Sequence, residues 1–337
     1  MACRIGFIAL LLLALVYGDR AHAASTERLQ FAPVTLPRYT DYRHIEHYAP
    51  TVEAYREARD DSRFVMERVT YGSDGLRVYA YLYRPRAVPE GQKLPVIVFN
   101  RGSYVRDDFS PEFLMPAHRL AEQGYLVIGP MLRGSGGAPG HDEMGGADVD
   151  DIFNIVPVLT ALGYADTDRL FLYGESRGAI MSMIAARRHF PARAIAVYGL
   201  TADFSTLIGP GTPGHALAPK IWPRFGTEEA HLVQTRSPMQ WADQIDVPVL
   251  IMHGADDQTV PPTQALEMAR ALMRAGKPCE LKIFYGGNHV LTGRAAERDG
   301  DAVAWFRRFD HPQTGTRKGS TGIGYQQAAP AHRAASR

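Results

Sequence analysis

Two cysteines in 337 residues leave no basis for a disulfide scaffold. Long apolar runs are missing too: the one candidate, Ile5 to Tyr17, is too short to span a bilayer. Charge of one sign is not in excess, since 37 Lys and Arg against 36 Asp and Glu give a formal net charge of +1. That balance gives no reason to expect nucleic acid or another polyanion as partner. No Cys/His cluster and no His-Glu-x-x-His occurs, so no metal and no cofactor is implied. No Gly-Lys-Ser/Thr follows the glycines at 134, 136, 137, 140, 145 and 146, so they read as a flexible loop beside the site and not as a phosphate cradle. Repeats at solenoid or propeller periods are absent. What is present is a globular composition, 45% hydrophobic and 22% charged, on a chain long enough to bury a sizeable core.

The ends read differently from the middle. Arg4, the short apolar run and Ala21-His22-Ala23 form a secretory signal pattern with cleavage expected after Ala23. Residues 1–23 are therefore expected to be a signal peptide, the mature protein to be exported (periplasmic or secreted), and no integral membrane segment to remain. Residues 24–63 read as an N-terminal extension, with many aromatics, charges and prolines and no clean periodicity. Residues 311–337, with Arg317, Lys318, Arg333 and Arg337 and no acid, read as a disordered basic tail.

Residues 64–310 read as one catalytic domain. Phe64 to Tyr71 and Leu76 to Tyr83 are β-rich runs around Gly72-Ser-Asp-Gly75, a hairpin. Short apolar runs without alternation follow at Val96–Phe99, Tyr125–Ile128, Leu170–Tyr173, Ala194–Tyr198, Val249–Met252 and Leu281–Tyr285. Runs buried on both faces are what a parallel sheet needs. Helix-like segments lie between most of them: Glu112–Gln123, Asp148–Leu162, Ser176–Arg188, Pro262–Ala275 and Ala295–Phe309. This alternation predicts an α/β fold, a mostly parallel central sheet with helices on both faces. Functional residues belong just after the strands, at their carboxyl ends.

After Leu170–Tyr173 stands Gly174-Glu175-Ser176-Arg177-Gly178, a G-x-S-x-G between strand and helix. That is the nucleophile elbow: a turn too tight for side chains at its flanks, holding an exposed serine hydroxyl. The bare pattern is expected roughly 0.1 times by chance; the strand before it and the helix after it make it specific. A serine needs a base, and the base needs a carboxylate, in the chain order Ser, acid, His. Of twelve histidines, His289 in Gly286-Gly-Asn-His289 follows the last strand and fits as base. Asp257 is the preferred acid, with Asp256 and Asp203 as alternatives, and His253 reads as a structural hydrogen-bonding residue. The oxyanion donors are read as the backbone N–H groups of Arg177 and Ser103, with the Tyr104 hydroxyl as a supplement. Tyr104 and Arg177 are also candidate substrate contacts. The Arg177 guanidinium would pair with a substrate carboxylate, or else with Glu175, Asp142 or Glu143 in a structural ion pair.

These stretches resemble a known family. From about Phe64 to Phe309 the chain is similar to the catalytic domain of the prolyl oligopeptidase family, within the α/β-hydrolase superfamily. The resemblance is carried by Ser73-Asp-Gly-Leu76, by Gly124 to Gly137 with its Arg-Gly-Ser-Gly-Gly, by Asp168 to Gly178, by Arg236-Ser-Pro-Met, by His253-Gly-Ala-Asp-Asp-Gln-Thr-Val-Pro261 and by Gly286-Gly-Asn-His289. It implies an α/β-hydrolase fold, a triad of Ser176, Asp257 and His289, and a structural role for Arg133. Departures bear on substrate. Arg177 stands where many members have an aromatic, Ala179 where many have a second glycine, and Asn288 where a glycine is common. Fewer than about 50 residues lie between the expected cleavage point and Phe64, too few for the β-propeller of the family's large peptidases. The sequence thus predicts an exported, propeller-free serine hydrolase acting on a small-molecule ester or short peptide, with the ester slightly favoured. A non-catalytic binding module on the same fold and an acyltransferase using the same triad are the other readings.

Overall fold

The computed structural model describes residues 29–42, 45–49, 51–104 and 108–310. The expected signal peptide and basic tail lie outside the described residues.

Among the described residues nine strands form one sheet: β1 (Gln30–Pro33), β2 (Phe64–Ser73), β3 (Leu76–Pro85), β4 (Leu94–Asn100), β5 (Leu126–Pro130), β6 (Ala165–Glu175), β7 (Ala192–Tyr198), β8 (Val249–Gly254) and β9 (Cys279–Phe284). Their spatial order is β1-β2-β3-β5-β4-β6-β7-β8-β9. The first three and the β3–β5 contact are antiparallel, and every pair from β5 to β9 is parallel. The hairpin closes where Ser73 pairs with Leu76, because Asp74 and Gly75 both accept positive φ (50° and 79°).

The helices are α1 (Val52–Asp60), α2 (Ser110–Ala121), α3 (Asp150–Phe153), α4 (Ile155–Leu162), α5 (Arg177–Arg187), α6 (Ser205–Ile208), α7 (Pro213–Ile221), α8 (Phe225–Arg236), α9 (Thr263–Arg274) and α10 (Ala295–Arg307). The single helix expected over 148–162 is a correction: it breaks at Asn154 into α3 and α4. Pro157 has no N–H to give the Phe153 carbonyl four residues back, and its ring crowds that oxygen. Among the described residues no helix is long and apolar enough to cross a membrane.

Strand alternation sorts the core into two layers. Val96, Val98, Leu170, Leu172, Ile195, Val197, Val249 and Ile251 face one way, toward α4, α5 and α9. Ile97, Phe99, Phe171, Tyr173, Tyr198, Leu250 and Met252 face the other way, toward α2, α10 and the N-terminal segment, which contributes Ile45, Ala49, Tyr55 and Ala58. The second layer is aromatic, with Phe171 against Phe306 at a ring separation of 4.9 Å. Such a pair adds about 0.5–1.5 kcal/mol beyond its buried area. Both layers end at the carboxyl edge of the parallel strands, where the loops after β4, β6, β8 and β9 converge.

Candidate active site

β6 enters the elbow at Gly174 and α5 leaves it at Arg177. Both flanking glycines are required by contact. A Cβ on Gly178 would lie 1.8 Å from the Asn100 carbonyl oxygen, and one on Gly174 would lie 2.5 Å from the Gly178 carbonyl oxygen. Between them Ser176 is held at φ 51°, ψ −115°. A non-glycine residue there costs on the order of 1–3 kcal/mol, which the surrounding packing must offset. Ser176 is also the residue before the first turn of α5, where helix N–H groups lack partners within the helix.

The loops after β8 and β9 bring the base and acid to this serine. They interlock through the Asp256 N–H on the Gly287 carbonyl at 2.9 Å. His289 Nδ1 lies 2.7 Å from Asp257 Oδ2, and its Nε2 lies 2.8 Å from Ser176 Oγ. With its Nδ1–H donated to the carboxylate, the imidazole presents Nε2 as an acceptor to the serine hydroxyl.

Asp257 is saturated with donors. Its Oδ1 accepts the N–H groups of Thr259 and Val260 at 2.8 and 2.9 Å. Its Oδ2 also meets Nε2 of buried His253 at 3.0 Å, and the same nitrogen lies 2.9 Å from the Val260 carbonyl. A carbonyl only accepts, so His253 Nε2 carries the proton. Burial pushes the Asp257 carboxyl up, but hydrogen bonds from His253, His289 and the Val260 N–H outweigh it and hold the group well below the usual carboxylate range. Of the alternatives, Asp256 is exposed, and the Asp203 side chain accepts from its neighbour's Ser205 N–H. Asn288 caps the turn that follows, accepting from the Thr292 N–H and donating to its hydroxyl.

The loop after β4 sits over the elbow. Arg101 is buried beneath it and donates to the carbonyls of Gly102 (3.0 Å) and Tyr104 (2.8 Å), to the Met131 carbonyl and to the Ser135 hydroxyl. In a trans peptide the N–H points opposite to the C=O, so the Ser103 N–H is turned away from this guanidinium. Arg101 was not singled out as a site residue from the sequence; the signal was its place between strand β4 and Gly102.

Two candidate substrate contacts are corrected here. Of the two readings of the Arg177 guanidinium, the ion pair with Asp142 is the one the structure shows, and the substrate contact is not. Arg177 is 4% exposed and grips Asp142 at 2.6 and 2.7 Å and Asp148 at 2.7 Å, with a further contact to the Ser103 carbonyl at 3.2 Å. Both terminal nitrogens are taken by the two buried carboxylates, and the remaining N–H, on Nε, is itself buried. The Tyr104 hydroxyl is likewise committed, donating to the Asp142 carbonyl at 3.0 Å and so not offered to an oxyanion. Arg133 joins buried Asp151 and Ser73 and the exposed Asp74 in a cluster that does not include the triad, the structural role the resemblance implies. One cluster among the described residues, Asp61, His118 and Glu122, brings three metal-ligating atoms within 4.8 Å of one another. Arg63 already bridges its two carboxylates at 2.6 and 2.7 Å, so a guanidinium meets that charge.

A sequence profile described as the prolyl oligopeptidase family matches residues 111–310, a span that holds Ser176, Asp257 and His289. The chain belongs to the prolyl oligopeptidase family. Its α/β-hydrolase fold and its place among serine hydrolases follow. It is 27% identical over 234 residues to an uncharacterized peptidase of Bacillus subtilis, YtmA, covering 68% of this chain and 88% of that one. It is 28% identical over 259 residues to the acylamino-acid-releasing enzyme of Rattus norvegicus, covering 71% of this chain and 34% of that enzyme. Among solved structures it resembles a puromycin-hydrolyzing peptidase of Mycobacterium tuberculosis, with a TM-score of 0.63 and 27% identity over 77% of this chain and 41% of that one. The chain thus spans most of one relative and about a third to two fifths of the other two.

Proposed function

We propose that this family member hydrolyses the amide bond of short acylated or aminoacyl substrates through an acyl-enzyme on Ser176, and that it cleaves activated esters of the same acyl groups. The observation that carries the reading is the unbroken contact from Ser176 Oγ to His289 Nε2 (2.8 Å) and from His289 Nδ1 to Asp257 (2.7 Å). In this reading His289 takes the serine proton as Oγ attacks the carbonyl. The tetrahedral oxyanion is held by the N–H groups of Arg177 and Ser103, each worth about 2.7–4 kcal/mol of barrier. The imidazolium, steadied by Asp257, then protonates the leaving amine or alkoxide, and water repeats the cycle on the acyl-enzyme.

The sequence alone tilted toward esters. Relatives named for acylamino-acid release, for peptidase activity and for puromycin hydrolysis support an amide instead. The test is turnover of a matched ester and anilide carrying one acyl group, with Ser176→Ala as blank. Comparable kcat on both supports the amide reading. Ester turnover with a silent anilide restores the esterase reading, and loss of neither in Ser176→Ala overturns the nucleophile.

Export belongs to this proposal as well, resting on Arg4, the short apolar run and Ala21-His22-Ala23. N-terminal sequencing of the mature protein supports it with a start at Ala24 and opposes it with an intact Met1.

A further inference from the structure

Glu175 is the residue before the nucleophile, yet the reaction scheme does not use it. It is 2% exposed. Alternation along β6 sends it to the aromatic layer with Tyr173, away from Leu172. Among the described residues no lysine or arginine pairs with it. Its carboxylate is satisfied by two phenols: Tyr198 donates to Oε2 at 2.6 Å and Tyr48 donates to Oε1 at 3.1 Å. Tyr48 lies in the N-terminal segment, far outside the span that matches the family.

The oxygen that Tyr48 holds is the one pressed on the oxyanion loop. A Cβ on Gly102 would fall 2.5 Å from Glu175 Oε1, so a side chain there would have to displace the carboxylate that the two phenols hold. On the same residue, Arg101 grips the Gly102 carbonyl at 3.0 Å and thereby sets the direction of the Ser103 N–H. The peptide that aims this donor is thus held by Arg101 at its carbonyl, with the Glu175 carboxylate packed beside its α-carbon. Glu175 also reaches the base side: the Tyr198 ring lies under the Arg298 guanidinium at 4.2 Å, and Arg298 donates to the carbonyl of Val290, next to His289, at 2.7 Å.

We propose that Tyr48 and Glu175 are positioning residues of the catalytic site: the N-terminal segment, through this hydrogen bond, sets the aim of the oxyanion loop. The inference rests on Ser176 being the nucleophile. An oxyanion donor bonds only the tetrahedral state, so a misaimed one lowers kcat and leaves KM alone. A residue that merely packed would instead lower stability and the fraction of active protein.

The experiment uses the full chain with Tyr48→Phe, Glu175→Gln and the double variant. Active sites are counted with a fluorophosphonate, kcat and KM per titrated site are measured on a nitrophenyl ester, and Tm is recorded. The expected result is about tenfold lower kcat in each single variant, well inside the ~100-fold that a 1 Å misplacement can cost. KM stays within twofold, Tm falls by only a few degrees in Tyr48→Phe, as loss of one hydrogen bond to a buried carboxylate requires, and the double variant turns over no more slowly than the poorer single. Wild-type protein that reacts at Ser176 while Tyr48→Phe turns over at the parent's rate overturns this inference alone. So does a loss confined to KM or to the count of active sites. Wild-type protein that takes no phosphonate at Ser176 overturns the reading of the site and this inference with it.

Discussion

The two faces of the sheet are built from different materials. One is aliphatic: Val, Leu and Ile from β4, β6, β7 and β8 meet the elbow helix α5 and its neighbours. The other is aromatic and carries buried charge: Phe99, Phe171, Tyr173 and Tyr198 lie close to Glu175, Arg298 and Asp299. Tyr173 donates to Asp299 Oδ1 at 2.5 Å, and Arg119 and Arg298 donate to the same carboxylate at 2.6 and 2.8 Å. The aliphatic face presents the nucleophile at the start of α5, where strand, motif and helix follow one another in the sequence. The aromatic face is closed by a segment with no clean periodicity in its sequence, whose Tyr48 hydroxyl reaches the residue before the nucleophile. The comparison teaches that the catalytic motif and its support come from opposite sides of the sheet.

Three changes sharpen that contrast. The largest effect is expected at the acid. Asp257→Asn keeps the shape of the loop but not the charge that fixes the His289 tautomer, and kcat should fall about 10⁴-fold with the fold retained. Circular dichroism beside kinetics checks both halves.

Next comes Arg177→Met, which strands Asp142 and Asp148 without their cation on the loop side of α5. Breaking such a buried pair costs roughly 3–5 kcal/mol. Urea unfolding should show a lower midpoint, and the preference for acidic over neutral substrates should not change. A change in that preference would return Arg177 to substrate binding.

The smallest effect is in acid. Asp257 and Asp299 are both held below the ordinary carboxylate range, in each case against the pull of burial. For Asp299 the guanidinium groups of Arg298 and Arg119 outweigh that pull. A lowered folded value means the charged form is favoured in the fold. Its stabilisation is complete above the unfolded value of about 3.9 and is lost as pH falls below it. Unfolding midpoints should therefore be insensitive to these two groups from pH 5 to 8 and should drop below pH 4. Asp299→Asn should flatten part of that drop, so an unchanged slope would remove Asp299 from the account.

The strand–helix alternation was legible because parallel strands buried on both faces are short continuous apolar runs, as in Val249–Gly254. The triad was legible because the fold orders Ser, acid and His along the chain, leaving His289 as the base that follows the last strand. β1 was illegible: its four residues are all exposed, and pairing with β2 alone makes it a strand. Helix α1 was hidden because it buries only Tyr55 and Ala58, α6 because four residues are too few to show a period, α7 because Pro213, Gly214 and Pro219 interrupt its pattern, and α8 because Phe225 and Leu232 are its only buried apolar residues. The Arg177 partners were half legible, since the sequence offers Asp142 as a nearby acid, whereas Asp148 reads there only as the start of a helix. The Tyr48–Glu175 bond joins residues 127 apart, and Tyr48 belongs to no motif. No local pattern encodes a contact of that kind.

The most direct test of the central claim is to trap the acyl-enzyme. The full chain is mixed with a slow-turnover nitrophenyl ester, quenched in acid, digested and mapped by mass spectrometry. The account predicts one acyl group per chain, on the peptide that contains Ser176, and none in Ser176→Ala. An acyl group on another residue, or turnover with no acylated Ser176 at any time, would contradict it.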